Sequence, residues 1–177
     1  MKLALAAVVI AALQSCISIN PNGYEMLSAE QRAKVVRPNR PIEELTRCDT
    51  IYIVNDSIVR DFLRDKDLAI VCCYLTICTS EYCLRPDLIH RNLQDCGLPF
   101  VMIAGDYYCA RDYNVNYPFI TIDSDHYKTK RYNRSIKRLF LALGCGDNWW
   151  HDYTLFRHGE YLGSGRSLEE AMKLIEP

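Results

Sequence analysis

The most reactive groups in this chain are its cysteines, nine in 177 residues. Two share a short polar stretch, Cys78 and Cys83 in Cys78-Thr79-Ser80-Glu81-Tyr82-Cys83. Thiol–disulfide exchange needs a thiolate attacker and a second thiol that resolves the mixed disulfide. Helix geometry works against this pair. In a regular helix starting near Thr79, residues five apart lie beyond the roughly 7 Å Cα separation that a disulfide tolerates. Cys78 and Cys83 bond only if the first turn is unwound; otherwise Cys78 is a lone thiol. Cys72 and Cys73 read as small core residues, because they sit inside the apolar run Leu68 to Leu75. Trp149-Trp150 offers either an aromatic lip for a protein or peptide partner, or one core ring beside one surface ring. Lys128, Lys130, Arg131, Arg134, Lys137 and Arg138 put six basic residues in eleven. Such a run reads as a solvated face, or as a contact with anionic headgroups. His90 and His126 have no partner legible in the sequence. Ser80 has no His/Asp constellation to activate it. No metal or cofactor is expected.

The N-terminus sets the compartment in which this chemistry would run. Met1-Lys2 precedes an apolar stretch, Leu3 to Leu13, that is too short to span a bilayer, which takes about 20 residues. It reads as a secretory signal. Its end, Leu13-Gln14-Ser15-Cys16, resembles the lipobox of bacterial lipoproteins. That resemblance implies removal of residues 1–15, acylation of Cys16 and anchorage of the chain to a lipid bilayer of the cell envelope. No Asp follows Cys16, which by the same resemblance implies the outer membrane, facing the periplasm. An exported protein can hold disulfides, but the eight cysteines beyond Cys16 allow 105 connectivities. The 21 basic and 22 acidic residues nearly cancel, to a net charge of −1. That balance argues against nucleic-acid binding, which usually shows a basic excess. At 49% apolar and 24% charged, the composition fits a globular domain with an ordinary core.

The elements that would position these residues follow from periodicity. Residues 16–47 read as a tether and a short helix from Ala29 to Val36, opened by a Ser28/Gln31 capping box and stopped by Pro38 and Pro41. The domain itself spans residues 48–177. Ile51–Val54 is a β-branched strand, and Asn55-Asp56-Ser57 caps a helix carrying Ile58, Val59, Phe62 and Leu63. Leu68 to Leu75 reads as a strand buried on both faces, so Cys72 and Cys73 point to opposite sides. Leu84, Leu88, Ile89 and Leu93 predict a helix ended by Gly97, with Pro86 inside it as a kink. Strands at 99–104 and 117–123 follow, joined by an irregular segment. A helix with Ile136, Leu139, Phe140 and Leu143 on one face ends at Gly144. Residues 153–163 form a hairpin, and a helix starts at Ser167, where Glu170 completes a second capping box. The fold class is α/β with a mixed sheet flanked by helices.

These residues resemble the thioredoxin-like proteins, especially the membrane-anchored extracytoplasmic members. The stretch VNDSIVRDFLRDKDLAIVCCYLTIC resembles the family's strand, capped helix and central strand running into the first active-site cysteine. Pro86 stands eight residues after Cys78, as the family's helix-kinking proline does, and YTLFRHGEYLGSGRSLEEAMKLI resembles the closing hairpin and helix. The segment from Gly105 to Gly144 resembles an insertion before that hairpin. The resemblance places Cys78 at the nucleophile position and Glu81 at that of the second cysteine. His151 falls where the family has a cis-proline, flanked by Trp149, Trp150 and Asp152. Two readings stay open. One is a non-catalytic binding or scaffold module using Glu81, Trp149, Trp150 and His151, with a protein thiol or peptide as partner. The other is a thiol–disulfide oxidoreductase or isomerase using Cys78, with Cys83 as resolver.

Overall fold

The computed structural model describes residues 21–77, 85–111, 116–147 and 152–176. The strands are β1 (Val35–Val36), β2 (Ile51–Val54), β3 (Ala69–Tyr74), β4 (Phe100–Ala104), β5 (Phe119–Ile122), β6 (Tyr153–Arg157) and β7 (Glu160–Gly165). The helices are α1 (Ala29–Ala33), α2 (Asp56–Arg64), α3 (Pro86–Cys96), α4 (Tyr132–Ala142) and α5 (Leu168–Met172). The strands form one mixed sheet in the order β1-β2-β5-β4-β3-β6-β7. From β1 through β3 all neighbours are parallel; β6 runs antiparallel to β3, and β7 antiparallel to β6.

Period-two alternation along the strands divides the core. Val71, Cys73, Val101, Ile103, Ile120 and Ile122 face the side covered by α2 and α4. Ile70, Cys72, Met102, Ala104, Phe119 and Leu155 face the side covered by α3 and α5. Cys72 and Cys73 are thus core residues on opposite faces, as the apolar run predicts. Every residue of β3 is buried, because it lies inside the sheet with helices over both faces.

Local capping agrees with the sequence in most places. Ser28 and Gln31 form a reciprocal capping box, and the Asn55 side chain accepts from the Ile58 N–H at 3.1 Å. Gly97 closes α3 with φ 72°. At α5 the Ser167 hydroxyl accepts from the Glu170 N–H, while the Glu170 carboxylate reaches Arg166 N.

Three elements differ from the sequence reading. The first helix stops at Ala33, and Val35–Val36 pair with Ile51 and Tyr52 as an edge strand. Two β-branched residues are too few to show a period, so the edge strand is invisible to pattern. Pro86 does not kink α3; it starts it, after Arg85 in extended conformation (φ −65°, ψ 143°). At the first helical position proline's missing N–H costs nothing and its fixed φ already suits the helix. The segment 105–144, likened to an insertion, supplies the strand β5 and the helix α4 that its periodicity predicts; what differs is the place of β5, inside the sheet between β2 and β4.

Candidate functional site

The parallel strands β2, β3, β4 and β5 all end at one edge of the sheet. In open α/β sheets that edge is where ligands and reactive loops gather. β3 ends at Tyr74, and Leu75-Thr76-Ile77 turns toward the segment that carries Cys78. This turn is held from below by Asp106, which lies just past the end of β4 and has no exposed surface. Its carboxylate accepts from the Thr76 N–H at 2.9 Å, the Tyr108 N–H at 3.0 Å, the Thr76 hydroxyl and, at 3.4 Å, the Ile77 N–H. Thr76 Oγ1 in turn accepts from the Cys109 N–H at 2.9 Å, and the Cys109 thiol lies 3.5 Å from the Thr76 carbonyl oxygen. A buried carboxylate is tolerated only when donors fill its lone pairs, and here they do.

Gly105 lies beside the network. A Cβ there would lie 2.7 Å from Ile136 Cδ1 and 2.8 Å from Leu75 Cδ2, so a larger residue would have to displace these two side-chain ends. Its N–H donates to the Tyr74 carbonyl at 2.8 Å, which extends the β3–β4 ladder into the turn. On the other side of β3, the Cys73 N–H donates to the Asp152 carbonyl at 2.9 Å, and Cys72 pairs with Tyr153. The attachment points of 78–84 and of 148–151 therefore lie at the same end of two neighbouring strands.

The residues singled out from the sequence, Cys78, Glu81, Cys83, Trp149, Trp150 and His151, all lie outside the described residues, as does Cys16. What the structure supplies is their mounting. Sequence reasoning passed over Asp106, Thr76 and Cys109. The only signal was a Gly-Asp pair directly after a buried strand, a place where Asp commonly binds nearby backbone N–H groups.

The described thiols fall into two groups. Burial raises the Cys72 and Cys73 thiols far above their ordinary range, Cys73 with further repulsion from Asp152 and Asp106. Burial pushes the Cys145 thiol up to about 12. All three are poor nucleophiles, since the thiolate is the attacking form. Cys48, Cys96 and Cys109 are half-buried, and none of the six described cysteines is bridged. Among the described residues, no group of three or more His, Cys, Asp or Glu side chains is placed to hold a metal ion.

A second cluster lies beside the first on the same edge. Asn22, 4% exposed, wedges between the ends of β4 and β5. Its carbonyl accepts from the Tyr107 N–H at 2.7 Å and its Nδ2 donates to Ser124 Oγ at 2.9 Å. Its own N–H donates to the Lys130 carbonyl at 2.8 Å. Next to it, Arg37 and the buried Asp123 form an ion pair at 2.7 Å. This pair lies in a cleft of about 370 Å³ that Arg32, Asp125 and Lys130 also line.

No protein-family model matches this chain, and no curated protein matches it. No helix among the described residues is long and apolar enough to cross a membrane.

Proposed function

We propose that this protein is a lipid-anchored, extracytoplasmic thioredoxin-like module that binds a protein thiol or peptide partner and does not itself catalyse thiol exchange. The order of elements from β3 onward supports the family reading. A central strand leads to the Cys78 segment, a helix returns to a parallel neighbour, and an antiparallel hairpin and a short helix close the chain. The Cys73–Asp152 hydrogen bond supports a shared face for the Cys78 and Trp149–His151 segments.

The observation that carries the non-catalytic reading is the start of α3 at Pro86. A cysteine becomes a good nucleophile at a helix N-terminus because unpaired N–H groups and the macrodipole favour the thiolate. The N-terminus of α3 lies eight residues beyond Cys78, and it already has Asp87 in its first turn, paired with Arg85 at 2.7 Å. On the β3 side, the buried Asp106 carboxylate accepts from the Thr76 and Ile77 N–H groups, the last two described residues before Cys78, and a negative charge beside a thiol works against its thiolate.

The test is insulin reduction together with the alkylation rate of Cys78 near neutral pH. The expected result is no turnover and a rate like that of an ordinary cysteine. Reductase activity that Cys78→Ser abolishes would replace this reading with thiol–disulfide exchange through Cys78 and Cys83.

A further inference from the structure

The basic run left unexplained by the site has a definite place in the fold. Pro21 pairs in an isolated antiparallel bridge with Arg131, and the Asn22 N–H binds the Lys130 carbonyl at 2.8 Å. The first described residues of the chain are thus fastened to the basic segment itself. Cys16 is five residues before Pro21. A chain of that length reaches at most roughly 18 Å even when fully extended. Adding about 5 Å across the bridge, Lys130 and Arg131 stay within about three screening lengths of the acylated end at physiological salt, wherever it is anchored.

The charge around this point is strongly one-sided. Residues 21–37 and 123–138 hold nine basic and four acidic side chains, in a chain whose net charge is −1. The acidic ones are mostly engaged: Glu25 with Lys130 and Arg32, Glu30 with Lys34, Asp123 with Arg37. Lys128, Arg134, Lys137 and Arg138 are exposed. Arg131, Arg134 and Arg138 follow one another at helical spacing up α4.

Helix stability does not account for this pattern. α4 has Arg131 at its N-cap with no side-chain cap bond, Arg134 in its first turn and no acidic residue there. Cations at a helix N-terminus oppose the macrodipole. A sequence that breaks a local rule in this way calls for a compensating gain elsewhere.

We infer that the face formed by Lys128, Lys130, Arg131, Arg134 and Lys137 docks on the anionic headgroups of the same leaflet that holds the acyl chains, so that the domain lies against the membrane. This rests on acylation of Cys16. An acyl anchor and a basic patch are complementary membrane signals, each near-surface Lys or Arg strengthening attachment by about fivefold.

The experiment uses the full acylated chain, its lipid verified by mass, added to preformed vesicles. One set is phosphatidylglycerol with phosphatidylethanolamine; the other is phosphatidylcholine alone. Exposed lysines are acylated with a water-soluble reagent. The expected result is that Lys128 and Lys137 label about fivefold more slowly on the anionic vesicles, while Lys173 labels equally on both. About 1 M salt, which shortens the screening length to about 3 Å, removes the difference. Exchanging Lys128→Glu, Arg134→Glu and Lys137→Glu together makes the labelling of Lys130 the same on both vesicle types. Equal labelling of Lys128 on both vesicle types by an acylated, vesicle-bound chain overturns this inference alone. A chain whose mass shows no lipid, and which stays off both vesicle types, overturns the anchored reading with it. Equal protection in neutral vesicles by added polyphosphate would overturn the membrane assignment in favour of a general phosphate site.

Discussion

Removing the Asp106 carboxylate tests whether the β3 turn is held as described. In Asp106→Ala, the Thr76 N–H, the Thr76 hydroxyl and the Tyr108 N–H lose their acceptor in a site with no exposed surface. A buried donor left unsatisfied costs about 1–3 kcal/mol. Water entering the space of the lost carboxylate recovers part of this, which leaves a destabilisation of about 3 kcal/mol. In a chain of this size 1 kcal/mol moves Tm by about 2–4 °C, so the expected drop is about 6–12 °C. Asp106→Asn keeps the shape and one acceptor oxygen and loses about half as much. Thr76→Val removes one donor and the acceptor of the Cys109 N–H, for about 1–2 kcal/mol. Because Asp106 and Thr76 share a bond, the double variant Asp106→Ala/Thr76→Val loses less than the sum, by at least about 0.5 kcal/mol. Thermal and urea unfolding followed by circular dichroism measure all four variants. A Tm for Asp106→Ala within about 2 °C of the parent, or strict additivity with Thr76→Val, refutes the network.

Native thiol titration at mildly alkaline pH is expected to modify Cys48, Cys96 and Cys109 well before Cys72, Cys73 and Cys145, which react only on unfolding; early labelling of Cys73 by peptide mapping counts against the core placement. Gly165→Ala puts a Cβ 2.6 Å from the Ala171 backbone nitrogen, so α5 must shift and stability falls by about 2–3 kcal/mol. Gly97→Ala meets nothing within 4 Å and costs about 1 kcal/mol, from its φ of +72° alone; a reversed order in chemical denaturation disproves the close approach of α5 to β7. His90 stacks on Tyr117 at 4.0 Å, and burial lowers its pKa below the ordinary 6.5. The unfolded chain then takes up its proton first, so His90 leaves stability unchanged above pH 6.5 and lowers it as pH falls from 6.5 toward the folded value. Stability curves of the parent and His90→Phe should therefore diverge below pH 6.5, and parallel curves there would exclude the effect.

Strongly patterned elements were legible from the residues alone. The run around Cys72 and Cys73 declares a doubly buried strand, and the i, i+3, i+4, i+7 repeat from Ile136 to Leu143 declares α4. The errors have local causes. Leu84 extends the apolar stripe of α3 backward past Pro86, but the proline ring fits the first turn, and that preference decides where the helix starts. Strand order is a long-range property, so nothing near Phe119–Ile122 announces that they lie between β2 and β4. Asp106 carries no periodic signature either; its role comes from meeting Thr76, thirty residues away in the chain. Spacing names Cys78 and the family resemblance adds Glu81, but the Asp106 carboxylate that holds the turn before them comes from the end of another strand.

The wedge at Asn22 also bears on how such a body would respond to force. Among the described residues, a pull from the N-terminal side reaches Asn22 together with the Pro21–Arg131 bridge beside it. The bonds of Asn22 reach Tyr107 after β4, Ser124 after β5 and Lys130 in the link to α4. A tug on the N-terminus is therefore divided among three separate attachments rather than peeling one edge strand away. The edge strand β1, only two residues long, lies downstream of this knot and is shielded from the load.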